Sequence, residues 1–188
     1  SLKKKKILFI TGEFIPYTQS VGGAIRVLSY LKSLKGHDLK LISIKKKYYG
    51  FYGFKKDIEH VKKIYIKSKI ISKNNLKNYI FAFFKIFFSN LLYILGIDHN
   101  FFNNQKYLKE IDNIYLSFNP DYIIISAPPF SLFRLVSKIK KKDKNIKIIL
   151  DYRDGWTQRI KSKRFFLIKK IMIKIKKSIL DQCHYALC

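Results

Sequence analysis

The sequence predicts an α/β fold built on a parallel sheet, and three observations carry that expectation. Runs of strand length at 7–10, 121–125 and 146–150 are apolar nearly throughout instead of alternating, the pattern of strands covered on both faces. Stretches with apolar residues at helical spacing lie between them. Two segments, Gly22-Gly23-Ala24-Ile25-Arg26 and Asp151-Tyr152-Arg153-Asp154-Gly155-Trp156, follow the first and last of these strands. Both should therefore reach the carboxyl edge of one sheet, where open α/β folds bind ligands.

The elements follow in order. Residues 7–10 form a short buried strand, and after an irregular stretch containing Pro16 the run 24–34 places Ile25, Leu28 and Leu31 at helical spacing before Gly36 closes it. Strands follow at 39–44 and 61–66, separated by a basic, aromatic loop, 45–56, that carries Tyr48, Tyr49, Phe51, Tyr52 and Phe54. Pro120 opens the strand at 121–125, Pro128-Pro129 opens a helix over 130–142, and 146–150 is the next strand, the spacing of a right-handed βαβ crossover. Residues 165–180 read as a Lys-studded amphipathic helix with Leu167, Ile168, Ile171, Ile175 and Ile179 facing inward. The chain then turns apolar again at 184–188, so the sequence reads as a single Rossmann-like domain, 1–188, of a longer protein.

The stretch 76–97 departs from this pattern. As a helix it has a very wide apolar face, with a narrow stripe of Asn78, Ala82, Lys85 and Ser89. Lys85 and Asn90 at its middle argue against a membrane span, which needs roughly 20 mainly apolar residues. Two readings stay open: a helix buried against the sheet, or one lying at a membrane surface among basic neighbours.

With 188 residues, 48% of them hydrophobic, the chain can bury a core of ordinary size. Its net charge of +27 invites a polyanionic partner. Yet 34 of the 39 basic residues are Lys and five are Arg, whereas readers of phosphate and nucleic acid favour the bidentate Arg fork. Lys, Ile, Asn, Tyr and Phe are abundant together, which points to compositional drift, with a role in holding the protein to an acidic membrane surface as the further reading. The few arginines gain individual interest. Cys183 and Cys188 make no disulfide framework, so a reducing cytosol is the expected compartment. The start, four Lys followed only by 7–11 before Gly12 and Glu13, is too short for a signal peptide.

Gly22 and Gly23 precede a helix, so backbone N–H groups there can approach an anion where the helix dipole is positive. The G-x-G-x-x-G fingerprint is absent, because Gly12 lies ten residues before Gly22. Arg26 stands one turn later, on the face that looks back to the loop. Asp151, Arg153 and Asp154 put three charges in four positions beyond a buried strand, a costly arrangement unless they pair internally or meet a ligand. Trp156 is either a sugar-stacking platform or a plug over the sheet end, and Ser126-Ala127-Pro128-Pro129 leaves room for a ligand. His37, His60, His99 and His184 build no metal constellation, and no cofactor is expected.

The order of these pieces resembles the N-terminal, acceptor-binding domain of family-four GT-B glycosyltransferases. The residues that carry the resemblance are Lys6 to Ile10 leading to Pro16, Gly22-Gly23-Ala24-Ile25-Arg26, Leu34 to Asp38, Pro120 to Ile124 with Ser126 to Phe130, and Leu150 to Trp156. The resemblance implies half of a two-domain cleft and a retaining transfer of sugar from a nucleotide-sugar, without a bound metal. The nucleotide-binding C-terminal domain would lie outside this sequence. Gly22 and Gly23 would face the donor diphosphate with Arg26 in support, and Asp151, Arg153 and Asp154 would lie near the reacting carbon. Ser126, Pro128, Trp156 and Tyr52 would shape the acceptor side. Where many members have a His after the fifth strand, this chain has Arg153 and Asp154. The implied acceptor is a surface polysaccharide or lipid-linked saccharide, with the regions 45–56 and 76–97 meeting the membrane and the protein held on its cytoplasmic face. Two other readings remain at this stage: a basic binder of nucleic acid or another polyanion, and a non-catalytic partner subunit of a split glycosyltransferase.

Overall fold

A computed structural model of the chain describes residues 3–18, 21–45, 59–67, 101–152 and 166–187. Its centre is a six-stranded, all-parallel sheet: β1 (Lys6–Thr11), β2 (Asp38–Lys45), β3 (Val61–Lys67), β4 (Tyr122–Ala127), β5 (Lys147–Tyr152) and β6 (Tyr185–Leu187), in the order β3-β2-β1-β4-β5-β6. Among the described residues four helices flank it: α1 (Val21–Ser33), α2 (Asn104–Phe118), α3 (Leu135–Lys142) and α4 (Phe166–Leu180). This is the Rossmann-like α/β architecture expected from the sequence. Leu8, Ile10, Leu41, Ile123, Ile125, Ile148 and Leu150 are buried to the last few per cent, which accounts for the lack of polar alternation in these strands.

The two faces carry separate cores. On one, α1 sets Ala24, Val27, Leu28 and Leu31 at i, i+3, i+4 and i+7 against Ile7, Phe9, Leu39, Leu41 and Ile124. On the other, residues of α2, α3 and α4 pack on Leu8, Ile10, Ile42, Ile123, Ile125, Ile148 and Leu150. The chain thus leaves β1 toward one face and β4 toward the other, although the two strands are hydrogen-bonded neighbours. A crevice opens where such paths diverge, outside the carboxyl ends of β1 and β4.

Three local findings correct the sequence reading. Helix α2 was not anticipated, although Tyr107, Ile111 and Ile114 form a buried stripe at helical spacing. It ends at Asn119, in the left-handed region at φ 46°, whose N–H donates to the Tyr115 carbonyl before Pro120 stops the chain. The helix expected over 130–142 begins as a 3₁₀ turn, Phe130–Arg134, tightened by an Leu132 N–H bond to the Pro129 carbonyl, and becomes α-helical only at Leu135. In α4, Ile175 and Ile179 face the core as expected, but Ile171 is 51% exposed. Each i+4 step precesses by about 40°, so a stripe running 171, 175, 179 has turned roughly 80° by its far end. The side chains of Leu167 and Ile168 and the whole of 76–97 lie outside the described residues. Among the described residues no helix is long and apolar enough to cross a membrane.

Burial pushes the hydroxyls of Tyr65 and Tyr115 up to about 12, aided by the charges of Tyr17 and Asp143 respectively, and pushes the Cys183 thiol up to about 11 against the opposing effect of Lys140. All three are neutral when folded and ionise more readily when unfolded, so their contribution is complete below the ordinary values and is lost as pH rises through the folded ones. Unfolding free energy should therefore fall progressively from about pH 9 to pH 12. A spectrophotometric titration should show late-titrating tyrosines that the Tyr65→Phe/Tyr115→Phe variant lacks.

Candidate functional site

On the α1 face the sheet changes chemistry in its last row. Leu41, Phe9, Ile124 and Ile149 are in register across four strands and are all apolar. Two residues further along, Tyr65 is registered with Ser43, and Thr11 with Ser126 and then Asp151. A band of hydroxyls ending in a carboxylate thus lines the carboxyl edge.

Asp151 is completely buried at the end of β5, and both its oxygens are engaged. Oδ1 accepts from Arg26 Nη2 at 2.5 Å and from the Tyr30 hydroxyl at 3.3 Å, while Oδ2 accepts from Ser126 Oγ at 2.7 Å. Tyr30 also accepts a hydrogen bond from Arg26 Nε at 3.2 Å, so one hydroxyl serves both members of the ion pair. The Arg26 guanidinium lies 5.7 Å from the Tyr30 ring centroid, and that ring stacks on Phe9 at 6.1 Å. The arginine is therefore held by a charge, a hydroxyl and an aromatic face, with a core residue behind. Burial works against its charge, but the Tyr30 hydrogen bond and the Asp151 carboxylate outweigh that and raise its pKa. Its side chain keeps 32% of its surface exposed, and among the described residues Nη1 has no protein partner. One edge of the fork faces out.

The glycines expected to precede a helix instead lie in the first turn of α1. The Gly22 N–H belongs to the set that no helix can satisfy internally. Gly22 is exposed, and a methyl group there would meet nothing within 4 Å, so packing does not require a glycine. Arg26 stands one turn further along the same helix.

The connection from β1 to α1 is pinned from both sides of the sheet. The Tyr107 hydroxyl of α2 donates to the Thr11 carbonyl at 2.8 Å, and that of Tyr65 of β3 donates to the Ile15 carbonyl at 2.5 Å. Phe14 and Ile15 are buried, Tyr17 meets the Tyr65 ring edge-on at 5.0 Å, and Thr18 donates to the Glu13 carboxylate. Residues 12–18 therefore form a braced floor at the mouth of the crevice.

No family model, curated protein or solved structure matches this chain. The site must be read from its own chemistry.

Of the residues singled out from sequence, the structure brings together Arg26, Asp151 and Ser126, with Gly22 and Gly23 one turn before Arg26. Ser126 is buried with its hydroxyl directed to Asp151, whereas Pro128 is exposed at the end of β4 beyond a cis Ala127-Pro128 bond. Arg153, Asp154, Trp156 and Tyr52 lie outside the described residues. The internal Asp–Arg pair contemplated for 151–154 is formed with Arg26, 125 residues away in sequence. Tyr30, Tyr65 and Tyr107 were missed, and only Tyr30 had a local signal, its i+4 spacing from Arg26. Among the described residues no group of three His, Cys, Asp or Glu side chains is placed to hold a metal. A shallow cavity of 390 Å³, lined by Lys140, Lys144 and residues 181–184, lies at the opposite edge of the sheet where α3 and α4 end. Lys140 Nζ already donates there to the Lys144 and Ile146 carbonyls, so we assign the ligand site to the carboxyl edge.

Removing only the cation strands a buried carboxylate. Arg26→Leu should destabilise the fold by about 3 kcal/mol or more, and Arg26→Leu/Asp151→Asn should recover over half of that, measured by chemical denaturation as a double-mutant cycle.

Proposed function

We propose that this chain is the acceptor-binding domain of a retaining glycosyltransferase, moving a sugar from a nucleotide-sugar to a surface-polysaccharide or lipid-linked acceptor. The observation that carries the reading is the Arg26 fork, held by Asp151 and Tyr30 with one edge turned outward, on a helix whose first turn is Gly22 and Gly23. A helix N-terminus and an arginine fork one turn apart suit a diphosphate, the leaving group of such a transfer. The order of motifs in the sequence supports the same assignment. The donor nucleotide itself would be held mainly by a second domain.

In this reading the residues divide their roles. Asp151 is the positioning residue: both its oxygens are occupied within the protein, so it orients Arg26 and does not meet the sugar. Arg26 and the α1 N–H groups stabilise the negative charge that develops on the departing diphosphate, in the oriented-dipole manner that costs no reorganisation at the moment of reaction. Arg153 and Asp154, next along the chain, would approach the reacting carbon, and the diphosphate itself can take the acceptor proton. Pro128, Trp156 and Tyr52 would wall the acceptor side. The enzyme would work in the cytoplasm, peripherally on the inner face of the membrane, and would need no cofactor.

Transfer of labelled sugar from a panel of nucleotide-sugars to lipid-linked acceptors by the full-length protein tests this. Arg26→Lys keeps a cation for Asp151 but loses the fork, and should lower kcat by about a hundredfold with the fold intact. Gly22→Ala should stabilise α1 by about 0.5 kcal/mol while weakening donor binding. Absence of transfer from every donor, with salt-steep binding of nucleic acid in its place, would overturn the assignment and favour a polyanion-binding domain.

A further inference from the structure

The geometry points to a second working surface: the outer side of α3 and α4 is a docking face for an anionic lipid membrane. It stands on observations independent of sugar transfer, and it lies on the helix layer opposite α1.

Helix α3 carries Lys138, Lys140, Lys141 and Lys142, and α4 carries Lys169, Lys170, Lys174, Lys176 and Lys177; neither contains an acidic residue. The inner sides of both helices are occupied, by Val136 and Ile139 in α3 and by Ile175, Ile179 and Leu180 in α4. Their outward faces are consequently fixed. Lys170, Lys174 and Lys177 fall at i, i+4 and i+7, one exposed line along α4, and Lys138 and Lys141 are exposed on α3. Lys142 is ion-paired with Asp112, Lys140 is tied to backbone carbonyls and Lys176 lies 5.2 Å from the Tyr152 ring centroid, while the side chains of Lys170, Lys174 and Lys177 are exposed along α4.

Two features select a membrane over a nucleic acid. Ile171 and Ile173, 51% and 49% exposed, flank the lysine line on its two sides. A basic stripe bordered by β-branched apolar side chains suits an interface with charged head groups outside and acyl chains within reach. A phosphodiester backbone gives isoleucine nothing to enter. Within α3 and α4 the basic residues are all lysines, so these helices offer point charges in place of bidentate forks. Point charges match a diffuse layer of anionic head groups, where each lysine near the surface adds attraction.

Vesicle co-sedimentation of the purified chain tests the proposal, using phosphatidylcholine vesicles with and without phosphatidylglycerol. Binding should require phosphatidylglycerol and weaken with salt. Lys170→Gln/Lys174→Gln/Lys177→Gln should lower the partition by about a hundredfold, and Ile171→Ser/Ile173→Ser by about tenfold. A control triple, Lys32→Gln/Lys35→Gln/Lys67→Gln, removes the same charge from other parts of the surface and should have a far smaller effect. Circular dichroism and thermal unfolding verify that every variant is folded. Equal losses in the two triples would show that net charge alone drives binding and would overturn the proposal. Tight binding of a duplex DNA or single-stranded RNA probe, lost in the α4 triple while vesicle binding persists, would also overturn it and give the surface to nucleic acid. Either result leaves the transfer assay, which reads the carboxyl edge of the sheet, unaffected.

Discussion

A carboxylate with no exposed surface at the end of a parallel strand is tolerable only if a cation and hydrogen-bond donors come to meet it. In this protein the cation comes from another element: Arg26 of α1 reaches Asp151 of β5, passing the carboxyl ends of β1 and β4. The arrangement depends on several things at once. Helix α1 must be seated by its Val27–Leu31 stripe, β4 must lie in register so that Ser126 completes the carboxylate's shell, and Tyr30 must stand one turn after Arg26. The pair therefore couples both halves of the sheet at the point where the fold is topologically open.

The strands were legible from sequence because burial on both faces removes polar residues and leaves short apolar runs. The α1 stripe was legible because its spacing repeats through one unbroken stretch. Helix α2 was not, since Tyr107, Leu108, Ile111, Ile114, Tyr115 and Phe118 follow directly on another apolar region and their period is hidden by it. Composition located the candidate site, because glycine and charge are unusual next to buried strands. It could not pair the charges. Partnership across a sheet is set by register and crossover, and those bring Arg26, 125 residues away, to Asp151. Braces such as Tyr65 and Tyr107 were equally invisible, since each acts on backbone carbonyls that have no sequence signature.

The abundance of lysine acquires a structural reading. Several lysines lie against aromatic rings at the rims of the two cores: Lys40 over Phe118 at 4.5 Å, Lys45 over Tyr17 at 5.3 Å, Lys147 over Tyr122 at 5.4 Å and Lys176 over Tyr152 at 5.2 Å. Their methylene stems cover apolar surface while the ammonium groups stay wet. A sequence rich in Lys, Tyr and Phe can thus finish its core edges with the residues it has most of, at the cost of mutual repulsion. The Lys40 pKa is lowered first by burial and then by the neighbouring charges of Lys62 and Lys6.

The bracing of residues 12–18 has a consequence for recognition. A loop tied by one tyrosine to the β1 backbone and by another to its own, with two buried side chains beneath it, keeps its shape when something arrives. The entropy of ordering it is spent during folding and is not charged again to each encounter. A ligand that fits gains the whole contact, while one that is slightly wrong finds no give. Discrimination at this mouth is then a matter of exclusion by a fixed template, and any adaptability must come from whatever closes over it.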